Sequence, residues 1–131
     1  MMFKFLKTIP VYVKVYVNQI EIVQLNNGST LKSSAVQPFS SARLAVADFD
    51  AFELLLRRTL QELTDSGRTF MPSYNILIQQ FDMSEGGLSS VEMRALRDAA
   101  DQAGGKRTVI VTHTRELSLQ EAILEIKNQP N

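Results

Sequence analysis

The feature that most constrains the fold is a strict alternation of valine with larger or polar residues at positions 11–17. The stretch reads Val-Tyr-Val-Lys-Val-Tyr-Val, so one face is entirely valine and the other carries Tyr12, Lys14 and Tyr16. A repeat of two residues is typical of a β-strand, whose side chains point alternately to opposite faces of a sheet. The chain is therefore predicted to begin its folded part with a strand that buries its valine face.

Two further strands are predicted to follow at once. Ile20–Leu25 is rich in β-branched residues, and Asn26-Asn27-Gly28 comes directly after it. Asn and Gly adopt positive φ at low cost, so this run favours a tight hairpin turn. Leu31–Val36 is predicted to return as a third strand. The first part of the chain is thus expected to be an antiparallel three-strand meander.

Helices and strands are predicted to alternate in the remainder. A capping residue followed three positions later by glutamate marks the start of each of three helices. The pairs are Asp50 and Glu53, Ser89 and Glu92, and Ser118 and Glu121. Apolar residues at helical spacing follow each start and are predicted to be core. Apolar strands are predicted at Asn75–Phe81 and Val109–Thr112.

The resulting order, βββ-α-β-α-β-α, predicts an α/β fold with a mixed sheet. Strands joined through a helix are normally parallel, so two parallel strands should extend the antiparallel meander, with helices packed on the sheet. The meander could leave a sheet edge open to a partner, or Lys14 and Lys32 could guard that edge.

Composition excludes several kinds of chemistry. The 131 residues suit a single domain, and 14 basic residues balance 14 acidic ones, so no nucleic-acid partner is expected. The chain has no Cys, which excludes disulfides, thiolate zinc sites and cysteine nucleophiles. No apolar stretch approaches the roughly 18 residues of a membrane-spanning helix, and a cytoplasmic location is expected.

Three stretches resemble the bacterial actin-like, rod-shape-determining (MreB) family, in its subdomain IA only. They are Val46-Ala47-Asp48-Phe49 before a leucine-rich helix, Phe70-Met71-Pro72-Ser73 before a strand, and the run from Val91 through Gly104 to Val111. The resemblance covers about Leu44–Val111. It implies an actin-like ATPase or ribonuclease H-like subdomain, here spanning residues 10–131.

The motifs for ATP hydrolysis in that family are missing. The resemblance implies a glycine hairpin with an Asp between the first two strands, where this chain has Lys14-Val15-Tyr16-Val17-Asn18-Gln19. After the last strand it implies acidic residues, where this chain has His113-Thr114-Arg115 with Glu116 displaced. We therefore expect a non-enzymatic interaction module without a cofactor and without catalytic, cofactor-binding or metal-ligating residues. Its expected partner is itself or an actin-like cytoskeletal protein, in a cell-shape scaffold at the inner membrane face.

Residues 1–9 are predicted to be an amphipathic segment. On a helical wheel one face is apolar and the opposite face is basic, which suits a peripheral position on an anionic membrane. The apolar face consists of Met2, Phe5, Leu6 and Ile9, and the basic face of Lys4 and Lys7. The alternative is an N-terminal strand or a frayed end packed on the domain.

A second candidate site lies at the predicted carboxyl ends of the parallel strands. His113, the only histidine, follows the last strand, and Asp82, Glu85 and Glu116 are predicted to lie nearby. Ligands commonly bind in the crevice at this end of an α/β sheet, so the alternative function is a small-ligand or nucleotide sensor. Gly86-Gly87 could add backbone amides for an anion. A third reading is an enzyme using the same crevice, and the simplest is a solvated loop.

Overall fold

The structure, a computed structural model, describes residues 8–64 and 72–128. The strands and helices confirm the predicted order βββ-α-β-α-β-α. In chain order they are β1 (Thr8–Tyr16), β2 (Gln19–Gln24), β3 (Thr30–Ser34), α1 (Phe49–Thr64), β4 (Ser73–Gln80), α2 (Ser90–Gln102), β5 (Gly105–Val111) and α3 (Leu119–Asn128).

The five strands form one open mixed sheet in the order β3-β2-β1-β4-β5. β2 runs antiparallel to both β1 and β3. β4 runs parallel to both β1 and β5. The predicted mixed sheet and its antiparallel meander are therefore confirmed, with β1 at the centre and β3 and β5 at the edges.

Helices cover both faces of the sheet, and the alternation in β1 decides which residues each face buries. The valines of β1 pack with α1 and α2 in the larger core, together with Phe52, Leu56 and Leu96. Tyr12 lies on the other face, in a smaller core with Leu77 of β4 and residues of α3. The structure thus has three layers, because both faces of a central strand in such a sheet must be covered.

The starts of α2 and α3 confirm the predicted capping boxes. At α2 the Ser89 hydroxyl accepts from the Glu92 amide at 3.1 Å, and the Glu92 carboxylate accepts from the Ser89 amide at 2.8 Å. Ser118 and Glu121 repeat both bonds at α3.

The prediction for the start of α1 was wrong by two residues. The Asp48 carboxylate accepts from the Ala51 amide at 3.0 Å, so Asp48 rather than Asp50 caps the helix. Glu53 is buried and pairs with Arg57 one turn later. Both Asp48 and Asp50 are good capping residues by type, and the 3.6-residue period did not distinguish them.

The structure tests the predictions for Lys14 and Lys32 at a sheet edge and for Ile9 in the amphipathic segment. Lys14 lies on the central strand and is only 7% exposed, so it cannot guard a sheet edge, whereas Lys32 is exposed on the edge strand β3. Ile9 pairs with Tyr74 within the sheet and packs against the larger core. The amphipathic segment therefore cannot extend as a helix through Ile9. Met2, Lys4, Phe5, Leu6 and Lys7 lie outside the described residues.

Candidate functional site

A cleft of about 430 Å³ opens at the carboxyl ends of the parallel strands. Glu85 from the β4–α2 loop and His113 from the segment after β5 both line it. The other lining residues are Phe81, Ser84, Gly86, Gly87, Thr112 and Thr114. The volume is within the range of small-molecule sites. The structure therefore brings together two of the four predicted crevice residues, and the two glycines with them.

The geometry of His113 leaves one ring nitrogen available for a ligand. Its Nδ1 accepts from the Arg115 amide at 3.2 Å. A neutral imidazole that accepts at Nδ1 carries its proton on Nε2. His113 is exposed, so Nε2 can act as a donor toward an anion or a carbonyl.

The other two predicted residues have structural partners and do not line the cleft. The Asp82 carboxylate accepts from the Val17 amide at 2.9 Å, which ties the β4–α2 loop to the end of β1. The Glu116 carboxylate accepts from Lys14 Nζ at 2.6 Å. No group of three or more His, Asp or Glu side chains within residues 8–64 and 72–128 is arranged to hold a metal ion.

A buried polar network behind the cleft was not foreseen from the sequence. Gln79 of β4 is fully buried, and its Nε2 donates to the carbonyls of His113 at 2.8 Å and of Arg115 at 3.0 Å. Its Oε1 accepts from the Tyr12 hydroxyl, which in turn accepts from the Leu117 amide at 3.2 Å. Gln79 and Tyr12 together therefore fix the segment that carries His113.

Lys14 adds a charged contact to the same network. Besides Glu116, it lies 3.7 Å from the Glu21 carboxylate, and its Nζ sits 5.2 Å from the centre of the Tyr12 ring. Burial lowers the pKa of Lys14, but the Glu116 hydrogen bond and the two nearby carboxylates outweigh it and raise the pKa overall. Lys14 is therefore held in its charged form on the sheet face that α3 covers.

Tyrosines on the same side as Lys14 are held neutral. Burial is the main cause that raises the pKa of Tyr12, and likewise that of Tyr16. The Tyr16 ring stacks on Phe81 with centroids 5.3 Å apart and planes 13° apart. Because Phe81 lines the cleft, this stack connects the cleft wall to the central strand.

The turn between β1 and β2 is a second structural node. Asn18 adopts φ of 52°, and its Oδ1 accepts from the amides of Phe39 and Ser40, each at 2.8 Å. Its own amide donates to the Ser40 hydroxyl at 2.9 Å. The hydrogen-bonding groups of Asn18 in this turn therefore bind the connection between β3 and α1.

These features define an α/β protein with a five-stranded open mixed sheet, a cleft at the carboxyl ends of its parallel strands, and a polar network that orders the cleft wall. No protein-family model matches the chain. Over 91 residues it is 31% identical to the uncharacterized protein YjaA of Escherichia coli (strain K12), an overlap that covers 66% of this chain and 70% of that protein. The chain belongs to the YjaA family. Within the described ranges, no helix is both long and apolar enough to cross a membrane.

Proposed function

We propose that this chain is a non-enzymatic interaction module of the actin-like, ribonuclease H-like type, which binds a protein partner along the free edge of β3. The observation that carries the proposal is an apolar surface beside that edge. Val36 is 99% exposed and Leu54 is 41% exposed. Both line a groove of about 160 Å³ between the end of β3 and α1.

The edge and the groove are suited to an extended peptide. Among the strands of residues 8–64 and 72–128, β3 has only β2 as a neighbour, so its outer backbone groups can pair with an added strand. An apolar side chain of that strand would enter the groove beside Val36 and Leu54. Lys32 is exposed on the same strand and Arg58 lines the groove, which favours a partner segment with an acidic residue.

The β1–β2 turn supports the absence of nucleotide hydrolysis. The resemblance implies that a phosphate-binding hairpin would lie here. Instead, the Val17 amide donates to Asp82 and the Asn18 amide donates to Ser40. These amides have partners within the protein, and the turn lacks the glycine that would allow close approach to a phosphate.

The order of elements supports the actin-like part of the proposal. The region of resemblance, Leu44–Val111, contains α1, β4, α2 and β5, and these form the α-β-α-β succession that the resemblance implies. By the same resemblance, the proposed partner is a filament of a rod-shape-determining, actin-like protein, and the module is part of a cell-shape scaffold.

Co-sedimentation of the full chain with such purified filaments tests the proposal. We expect saturable co-sedimentation, and at least about tenfold weaker binding for Val36→Asp and for Leu54→Asp, because a charge in a desolvated contact is costly. Val91→Asp is the matched control, since Val91 is 76% exposed but lies on α2, away from the β3 edge. Equal losses in all three variants, or no co-sedimentation, would contradict the proposed surface. Magnesium-dependent ATP turnover by the pure chain would contradict the non-enzymatic assignment.

Association with an anionic membrane is a separate part of the proposal and rests on the sequence of residues 1–7. Liposome sedimentation of the full chain should weaken when Phe5 and Leu6 are changed together to Ser. Substitution is used rather than truncation because it preserves Thr8 and Ile9, which belong to β1. Pelleting that is unchanged by the substitutions would remove this segment as the anchor.

A second candidate function, a small-ligand sensor, is favoured by the meeting of Glu85 and His113 in one cleft. A nucleotide or other small anion that binds there should raise the thermal midpoint saturably. His113→Ala should abolish that shift. Asp82→Ala should lower the midpoint without ligand but keep the ligand-induced shift, since Asp82 does not line the cleft. A shift that survives His113→Ala would exclude this cleft as the binding site.

A further inference from the structure

A guanidinium with two unpaired nitrogens lies at the opposite end of the sheet from the cleft. Arg107 of β5 pairs in register with Asn75 of β4, near the amino ends of the parallel strands. Its Nε and Nη2 are buried and have no hydrogen-bond partner among the residues that the structure describes. Buried charged donors are nearly always satisfied in folded proteins, so this pair of atoms calls for an acceptor.

The two unpaired atoms have the geometry of a specific acceptor. Nε and Nη2 lie along the same edge of the planar guanidinium, so their N–H groups form a fork of parallel donors. Such a fork matches the two oxygens of a carboxylate. The unsatisfied atoms of Arg107 therefore favour a carboxylate over a single-atom acceptor.

The surroundings of Arg107 are cationic. It lines a cleft of about 280 Å³ together with Thr8, Asn75 and Lys106. Lys127 of α3 lines the neighbouring groove. Neither Arg107 nor either lysine forms an ion pair with a carboxylate of residues 8–64 or 72–128. The positive charge at this end of the sheet is therefore not neutralised by the described part of the protein.

An apolar groove lies next to the cationic cleft. It measures about 360 Å³ and shares Thr8 and Asn75 with the cleft around Arg107. Its apolar walls come from the sheet side and from α3, and they are Pro10, Leu25, Ile123 and Ile126. Each of the two spaces is close to the lower limit of small-molecule sites, and the two shared residues place them side by side.

We propose that the two spaces act as one elongated site, with a charged end and an apolar end, and that this site binds a small free carboxylate with an apolar chain. On binding, the partly exposed Arg107 side chain turns Nε and Nη2, which are covered in the unliganded structure, toward the cleft, and the carboxylate oxygens accept from them, with Lys106 adding charge. The chain lies between α3 and the sheet, against Ile123. The proposal is independent of the partner surface at β3, which lies at the other edge of the sheet.

Titration calorimetry of the full chain with octanoate, acetate and 1-octanol tests both ends of the site. We expect saturable binding of octanoate and at least about 100-fold weaker binding of acetate, because acetate lacks the methylene groups that the groove would bury. 1-Octanol should also bind at least about tenfold more weakly, because it lacks the charge that the fork recognises. Equal affinities for octanoate and acetate would overturn the role of the groove, and equal affinities for octanoate and octanol would overturn the role of Arg107.

Variants place the ligand within the site. Arg107→Gln should weaken octanoate binding at least about tenfold, whereas Arg94→Gln, an exposed arginine on α2, should leave it unchanged. Ile123→Thr should weaken binding, whereas Leu124→Thr should not, since Leu124 is 55% exposed and does not line the groove. Octanoate binding that is unaffected by Arg107→Gln would overturn the proposal.

Two further measurements separate loss of the site from loss of folding. Without ligand, Arg107→Gln should keep or raise the thermal midpoint, because it removes two buried donors that have no acceptor. Octanoate should raise the midpoint of the native chain more than that of Arg107→Gln. Arg107→Lys keeps the charge but loses the fork, and it should bind octanoate with intermediate affinity. Arg107-dependent binding to phosphatidylglycerol vesicles without binding of octanoate would assign the site to a lipid surface and overturn the free ligand.

Discussion

Replacement of Gln79 by Leu should destabilise the protein more than any change of similar size on its surface. Gln79 is fully buried, donates to two backbone carbonyls at 2.8 and 3.0 Å, and accepts from the Tyr12 hydroxyl. Leu has a similar volume, so the change removes hydrogen bonds without opening a large cavity. It leaves the carbonyls of His113 and Arg115 and the Tyr12 hydroxyl without this partner.

The magnitude follows from which of these groups can reach water. His113 and Arg115 are exposed, so their carbonyls can recover solvent hydrogen bonds, and each lost bond costs roughly 0.5–1.5 kcal/mol. The Tyr12 hydroxyl is buried, and leaving its proton unpaired costs about 1–3 kcal/mol. The buried Leu side chain offsets part of this loss by transfer out of water. We expect a net loss of about 2–3 kcal/mol in the free energy of unfolding.

Urea unfolding followed by circular dichroism measures this loss, with Gln102→Leu on the exposed end of α2 as the control. The control should stay within about 0.5 kcal/mol of the native chain. Tyr12→Phe combined with Gln79→Leu should cost at least about 1 kcal/mol less than the sum of the single changes, because both partners are then apolar. A loss below about 1 kcal/mol for Gln79→Leu, or strict additivity, would refute the role given to this network.

Three further predictions concern the charged pair, one helix cap and the β1–β2 turn. Folding raises the pKa of Lys14, so the folded state holds the proton of Lys14 more tightly than the unfolded state does. The free energy of unfolding should therefore fall as pH rises above about 10. Lys14→Met should make this alkaline decline shallower in urea titrations at several pH values. Ser89→Ala removes the cap of α2 and should cost about 1 kcal/mol, with exposed Ser90→Ala as a control that leaves the capping hydroxyl in place. Asn18→Ala leaves two amides without an acceptor at a residue with positive φ, and it should lower the thermal midpoint by about 6–12 °C, equivalent to roughly 2–3 kcal/mol. A shift under about 3 °C would mean that the turn does not depend on this side chain.

The order of elements was predictable because it depends on local patterns. Alternation from Val11 to Val17 identified the central strand, and the paired caps at Ser89 and Ser118 marked two helix starts correctly. The position of β1 within the sheet was not fixed by any local pattern. Lys14 illustrates this, because alternation placed it opposite the valines but could not show that α3 and the segment before it, which contains Glu116 and Leu117, cover that face.

The candidate site was predictable only in part, for the same reason. That Glu85 and His113 would meet followed from the general rule that loops gather at the carboxyl ends of parallel strands. That rule did not show that Asp82 and Glu116 form bonds elsewhere, since those bonds depend on the exact paths of two loops. Gln79 was missed because a buried glutamine within an apolar strand has no signature in a single sequence.

The two faces of β1 differ in chemistry, since one carries valines and the other carries buried Tyr12 and Lys14. On the valine face, β1 packs against apolar residues of α1 and α2, and any aliphatic residue of similar size would satisfy that packing. The other face carries buried Tyr12 and Lys14, which bond to Gln79 and Glu116 and so position the segment from His113 to Leu117. Polar groups are costly to bury, and an apolar residue could have filled the same space. We therefore propose that these polar groups hold the His113 wall of the cleft in place. The Gln79→Leu stability measurement and the His113-dependent ligand shift together test this hypothesis. If the cleft binds a ligand, Gln79→Leu should lower the affinity for that ligand by more than the lost stability alone would require.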